Sequence, residues 1–229
     1  MKALVITAAA LLVTGTASAA PANWDGFYLG AQATHGEGHT KDRSNADASK
    51  ESIRGFTGGL QGGRMWQFDN NVVAGIEGAL TFGSIDREWK DSRNNQYSPY
   101  YGKDSVTRSG MVNGKLGYAA GKWLPYVSAG VTVAHQEFTL GCDKSLVAET
   151  NGCRVAEFEN RASHTSTGTN VGAGVLYRFN DRLSGGVEYR YTNLGSSPVT
   201  LQDPNYPAVG RRNFNTNYSS VTLKLNYHF

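Results

Sequence analysis

The chain has 229 residues, of which 39% are hydrophobic and 18% charged, with 22 basic against 19 acidic side chains for a formal net charge of +3. Mean hydropathy is −0.42, and no run reaches the ~18 to 20 apolar residues of a spanning helix, so a bundle of membrane helices is excluded. The charges form no single-sign block, which argues against a nucleic-acid partner, and 28 glycines without a G-X-Y period, beside 11% aromatics, leave a chain rich in strands and turns rather than a fibrous or disordered one.

The first element is not part of the fold. Met1-Lys2 gives a positive start, residues 3–13 are apolar or small, and Ala17-Ser18-Ala19 is an A-x-A triplet, the pattern of a secretory signal peptide over 1–19. Its apolar run spans about 16 Å as a helix, roughly half of a hydrocarbon core, too short for an anchor. The folded domain is then expected over 20–229. An exported chain meets an oxidising compartment, so the only two cysteines, Cys142 and Cys153, are expected to close a loop as a disulfide, with free thiols as the alternative. None of His35, His39, His135, His164 or His228 pairs locally with either cysteine, so neither metal nor cofactor is expected.

From Trp24 onward, apolar residues alternate with small or polar ones in eight segments: 27–34, 56–67, 72–83, 110–119, 124–137, 169–179, 183–193 and 218–229. In the third, Val72, Ala74, Ile76, Leu80 and Phe82 share one face and Val73, Gly75, Glu77, Thr81 and Gly83 the other. The last sets Val221, Leu223, Leu225, Tyr227 and Phe229 against Thr222, Lys224, Asn226 and His228. Short connections (68–71, 120–123, 180–182) alternate strictly with long polar ones (36–55, 84–109, 138–168, 194–217). All the long loops therefore lie at one end of an up-and-down sheet, as in an outer-membrane barrel with short periplasmic turns and long extracellular loops, and a soluble sandwich has no reason to produce that asymmetry.

The same alternation could face its apolar side inward, as in a lipocalin-like carrier, or outward into lipid. Charges recur in mid-strand on the polar face: Glu77, Lys115, Arg178, Glu188, Arg190 and Lys224. Pointed at lipid near the midplane a basic one would cost ~2 to 4 kcal/mol, whereas inside they can pair as a salt-bridged plug of the lumen. Aromatics gather at strand ends (Trp24, Phe27, Trp66, Phe68, Trp123, Tyr177, Phe179, Tyr227, Phe229), where belts at the two interfaces would place them. Arg64 breaks the pattern by falling on the apolar side of its strand, through snorkelling or a bulge. Eight strands enclose an interior that side chains can fill, while general porins need about sixteen to eighteen.

Several stretches resemble the small outer-membrane β-barrel family of Gram-negative bacteria, often called porin family or opacity-like, which includes surface antigens and hemin-binding proteins. They are Trp24-Asp25-Gly26-Phe27-Tyr28-Leu29-Gly30, Gly75-Ile76-Glu77-Gly78, Gly114-Lys115-Leu116-Gly117-Tyr118, Leu124-Pro125-Tyr126-Val127-Ser128-Ala129-Gly130, Gly172-Ala173-Gly174-Val175 and Val187-Glu188-Tyr189-Arg190-Tyr191. The resemblance covers essentially all of 20–229. It implies an all-β, eight-stranded antiparallel transmembrane barrel, monomeric, in the cell outer membrane among lipid and lipopolysaccharide. It also implies that the terminal aromatics, Phe229 with Tyr227, are read by the barrel-assembly machinery.

The leading functional expectation is a non-enzymatic surface protein whose loops serve envelope integrity and contact with host or other surfaces, since loops on rigid scaffolds are where binding lives. The alternative is a narrow porin-like channel or a small-ligand barrel. Heme would need histidines such as His35, His39, His135 or His164 around a shaped apolar pocket that the loops do not display. A lipid-modifying enzyme would lean on Ser163-His164, but adjacent side chains of a strand point apart and no acid is positioned beside them.

Overall fold

A strand throws successive side chains to opposite faces, so each alternating segment presents one face to hydrocarbon and keeps the other wet. The computed structural model describes residues 22–42, 51–90, 100–142, 158–200 and 211–229. Eight strands run through them: β1 (Gly26–Asp42), β2 (Glu51–Gln67), β3 (Val72–Lys90), β4 (Tyr100–Tyr118), β5 (Trp123–Cys142), β6 (Phe158–Arg178), β7 (Leu183–Thr200) and β8 (Arg211–His228). Each pairs antiparallel with its neighbours in sequence, and β1 pairs with β8, closing the barrel. Closure leaves no edge of unpaired N–H and C=O groups in the spanning part, where lipid would penalise each by several kcal/mol; a gap between residues 158–168 of β6 and 194–200 of β7 lies at the outer end. The signal segment 1–19 lies outside the described residues.

The short turns are fixed by local chemistry. The Asn180 side-chain oxygen accepts the N–H groups of Arg182 and Leu183, each at 2.9 Å. Phe68 donates its N–H to the Val72 carbonyl at 2.9 Å while Asn71 takes a left-handed φ of 63°, a conformation asparagine tolerates.

At the other end the long connections are largely strand. Residues 36–42, 51–55, 84–90, 100–109, 138–142, 158–168, 194–200 and 211–217, expected as loop, continue the ladders. Strands of 17 to 21 residues exceed the ~9 to 11 that cross a bilayer, so their outer halves stand in water as tall hairpins. Polarity there reports surroundings, not the absence of pairing. The ladder slips in this half alone, between Phe82 and Ile85, Val106 and Arg108, and Asn193 and Ser196.

The exterior is apolar. Leu29, Leu60, Ile76, Leu80, Val112, Leu116, Val127, Val171, Leu223 and Leu225 all stand exposed on it. Phe27, Trp66, Phe68, Trp123, Tyr177, Phe179, Tyr227 and Phe229 form a girdle at the short-turn end, with ring pairs Trp123–Tyr177 at 4.6 Å and Tyr227–Phe229 at 5.3 Å. They make one belt rather than two, and the second interface is marked by Phe56 and Phe82. Trp24 corrects the expectation: it is 0% exposed, inside the barrel. Arg64 sits in the belt without a bulge, its guanidinium stacked 4.9 Å from the Phe27 ring and 5.3 Å from Trp66, so snorkelling among aromatics accounts for it.

Candidate functional site

The lumen has a floor, a charged middle and an outer chamber. The floor packs Trp24, Tyr28, Met65, Val73, Leu124, Tyr126 and Leu176 at the short-turn end. Residues 22–25 enter the mouth and are gripped from both sides. Gln67 accepts the Trp24 N–H at 2.7 Å, Ala22 donates to Gly121 O at 3.0 Å, and Arg178 donates to the Asn23 carbonyl. Arg178 also stacks 5.0 Å from Trp24, whose ring meets His228 edge-on at 5.9 Å.

Above the floor lies a buried ion cluster. Glu77 on β3 accepts from Lys115 on β4 at 2.5 Å and from Lys224 on β8 at 2.7 Å. Lys224 also reaches Glu188 on β7 at 2.7 Å, and Arg190 pairs with Glu188 from the same strand. The Tyr28 and Tyr126 hydroxyls donate to Glu77 at 2.8 Å and Glu188 at 2.6 Å. Five of the six expected lumen charges thus come together. Arg178 does not join them, because its place one residue from the turn puts it at the floor beside the entering chain. Alternation predicts the face of a residue and not its height.

The cluster has an internal symmetry. Tyr28, Gly63, Glu77 and Asn113 are directly opposed across β1 to β4, with Lys115 two residues beyond Asn113. Tyr126, Gly174, Glu188 and Thr222 are opposed in the same way across β5 to β8, with Lys224 two beyond Thr222. The four strands of one half repeat the four of the other: residues 63–77 match 174–188 without a gap, sharing Gly63/Gly174, Phe68/Phe179, Gly75/Gly186 and Glu77/Glu188. The glycines make room for the tyrosines. A Cβ on Gly63 would sit 2.9 Å from the Tyr28 hydroxyl oxygen, and one on Gly174 would sit 2.8 Å from that of Tyr126. The alternation reading missed both tyrosines; the self-similarity of the halves was the signal that could have found them.

The remaining candidates do not converge. His35 and His135 lie on the outward faces of β1 and β5, the former 4.5 Å from the Phe56 ring, while His164 turns the other way on β6. The side chain of His39 is outside the described set. Ser163 is exposed and its neighbour His164 faces inward, so they cannot act on one substrate atom. Among the described residues no group of three or more His, Cys, Asp and Glu could hold a metal. Cys142, ending β5, is buried and disulfide-bonded, while Cys153 lies outside the described residues. On the outer hairpins Tyr101 donates to Glu159 at 2.9 Å and Arg161 pairs with it at 2.6 Å. The tyrosine hydroxyl first, then the guanidinium, hold that carboxyl below its ordinary range.

The family model described as an outer membrane protein beta-barrel domain matches residues 6–229. The 31 kDa outer-membrane immunogenic protein of Brucella melitensis biotype 1 is 28% identical, over 90% of this chain and 84% of its own. The 22 kDa outer membrane protein of Rhizobium leguminosarum bv. viciae is 27% identical, over 80% of this chain and 71% of its own. Among solved structures, outer membrane protein OprG of Pseudomonas aeruginosa superposes with a TM-score of 0.53 at 13% identity, covering 91% of this chain and 98% of OprG, a likeness of fold alone.

Proposed function

The chain belongs to the outer-membrane protein β-barrel family, and from that premise we propose that it is a non-enzymatic surface protein, a rigid barrel whose outer hairpins and loops serve envelope integrity and contact with host or other surfaces. It resides in the outer membrane as a closed eight-stranded antiparallel barrel. The observation that carries the reading is the filled lumen: an aromatic floor and, above it, five buried charged side chains in mutual contact. Parting these buried pairs would leave uncompensated charge, so they tie strands together rather than line a path for solutes. The tall hairpins add support, because they lift the loops well clear of the lipid. The Brucella relatives are named immunogenic proteins, which favours outward exposure of these loops.

In this reading the barrel works as a monomer among lipid and lipopolysaccharide, the Cys142–Cys153 disulfide stiffens the loop it closes, and Phe229 with Tyr227 addresses the chain to the assembly machinery. Phe229 is well placed for that: it is 79% exposed and donates its N–H to Phe27 O at 3.1 Å, at the seam of the barrel.

The test pairs two measurements. In planar bilayers the purified barrel should give no stable conductance steps; reproducible steps would establish the narrow channel instead. In cells, loss of the protein should sensitise the envelope to detergent and lower surface attachment. A chain with residues 91–99 and 143–157 replaced by short Gly-Ser linkers should restore the first and not the second.

A further inference from the structure

The two halves of the charged cluster balance, except at one residue. Glu77 with Lys115 and Glu188 with Lys224 are equivalent pairs, two carboxylates against two ammoniums. Arg190 is extra: at the 111-residue spacing that relates 77 to 188, its counterpart is Ala79. It is 3% exposed, and guanidinium stays charged in proteins, so the central cluster, apart from Arg178 at the floor, carries one surplus buried cation.

Its hydrogen bonding is incomplete. One terminal nitrogen pairs with Glu188, the other meets the Met111 sulfur at 2.6 Å, a weak acceptor, and Nε has no partner. On the outer side of the cluster lies a cavity of about 30 Å³, room for two or so water-sized occupants at the ~10 to 15 Å³ each needs. Arg190 lines it with Thr34, Thr81, Ser109, Thr192 and Ser220; among the described residues no carboxylate does, and the other charged one in its wall, Arg108, is exposed. Thr34 bonds to Thr222 at 2.9 Å and Thr81 to Ser109 at 2.5 Å. The Thr34–Thr222 pair uses one of its two hydroxyl hydrogens and leaves the other to donate, whereas Thr81 also donates to the Ser109 carbonyl at 3.3 Å. Ile85, Val106 and Tyr218 of the outer apolar cluster complete the wall.

A surplus cation, a spare O–H donor, no acid among the described lining residues and a small volume define one ligand chemistry. We propose that this cavity binds a single monovalent anion of chloride or bromide size, admitted from the outer end, which completes the charge balance of the central cluster. A cation would meet Arg190 with no carboxylate among the described lining residues to offset it. The entering route is the outer one because the inner mouth is occupied by Trp24 and the floor.

The test uses the full barrel folded in detergent, with sodium bromide titrated against sodium gluconate at constant ionic strength. Two readouts are followed: the temperature at which the folded form loses its fast gel migration, and the chloride NMR linewidth in the presence of competing bromide. The expected result is a saturable rise of the midpoint in bromide and an excess linewidth that bromide removes. Arg190→Gln should weaken both at least tenfold. Should Arg190→Gln fail to fold, the double change Thr192→Val with Ser220→Ala leaves every ion pair in place and should weaken halide binding several-fold. Equal midpoints in bromide and gluconate overturn the proposal, and so does a halide response unchanged in either variant, which would be a general salt effect.

Discussion

The inner and outer halves of this barrel are built to different tolerances. At the short-turn end every strand keeps register, the turns close in three or four residues, and the lumen is packed by Trp24, Met65, Leu124 and Leu176, each at most 2% exposed. Beyond the membrane the ladders slip in three places, and the buried apolar group is smaller: Ile85, Val106, Ala134, Leu194 and Tyr218. The inner half must be continuous because lipid offers unpaired backbone groups no alternative partner, whereas water excuses a bulge. Precision here follows the solvent rather than the sequence position.

The largest expected effect breaks the boundary between the halves. Glu77→Ala strands Lys115 in the lumen, takes from Lys224 one of its two carboxylates, and should cost about 3 to 5 kcal/mol, the range for removing one partner of a buried pair. Urea unfolding of the barrel in lipid vesicles would measure it. Trp24→Ala opens the floor and should cost about 3 kcal/mol or more, with Leu194→Ala, beside the slipped register of β7, nearer 2. Equal losses at the two sites would erase the contrast drawn above. Gly63→Ala should cost about 1 to 3 kcal/mol by pressing its Cβ first on the Ile76 backbone carbonyl and then on the Tyr28 hydroxyl that serves Glu77, read by the same unfolding and by a change in tyrosine absorbance.

Effects at the outer end should be local. Replacing Cys142 and Cys153 by Ser should leave the unfolding midpoint within error while speeding protease cleavage between them; loss of the whole fold would show the pair to be structural for the barrel. The smallest effect is protonic. Glu159 has a depressed carboxyl pKa, so whatever it contributes is present above the ordinary carboxylate range and lost as pH falls through its lower folded value. Hydrogen exchange of the outer ends of β4 to β6 should quicken on acidification in wild type, and not in Glu159→Gln.

Most of the barrel was legible in the sequence because lipid enforces a period of two over every spanning segment. Leu223, Leu225 and Tyr227 stand outside and Thr222, Lys224 and Asn226 inside, as the alternation reads. What it could not reveal were matters of height and content. The pattern groups Trp24 with the aromatic belt, although the chain before β1 turns into the mouth, and Arg178 with the central charges, although it serves the floor. The outer strand extensions were hidden because polar hairpins in water carry no apolar face. The tyrosine–carboxylate pairs emerged only once register set Tyr28 opposite Gly63 and Tyr126 opposite Gly174.

The seam between β1 and β8 bears on the order in which the barrel assembles. Seven of its eight pairings join strands adjacent in the chain, so each forms by closing a hairpin, but the eighth sets Tyr28 beside His228, two hundred positions later. Long-range closure carries the greater entropic delay, so this step is expected last. Trp24 meets His228, and Phe229 meets Phe27, at that seam. The event that completes the cylinder therefore also seats its stopper: until then the half-made sheet is open along one side and at the bottom together, and afterwards at neither.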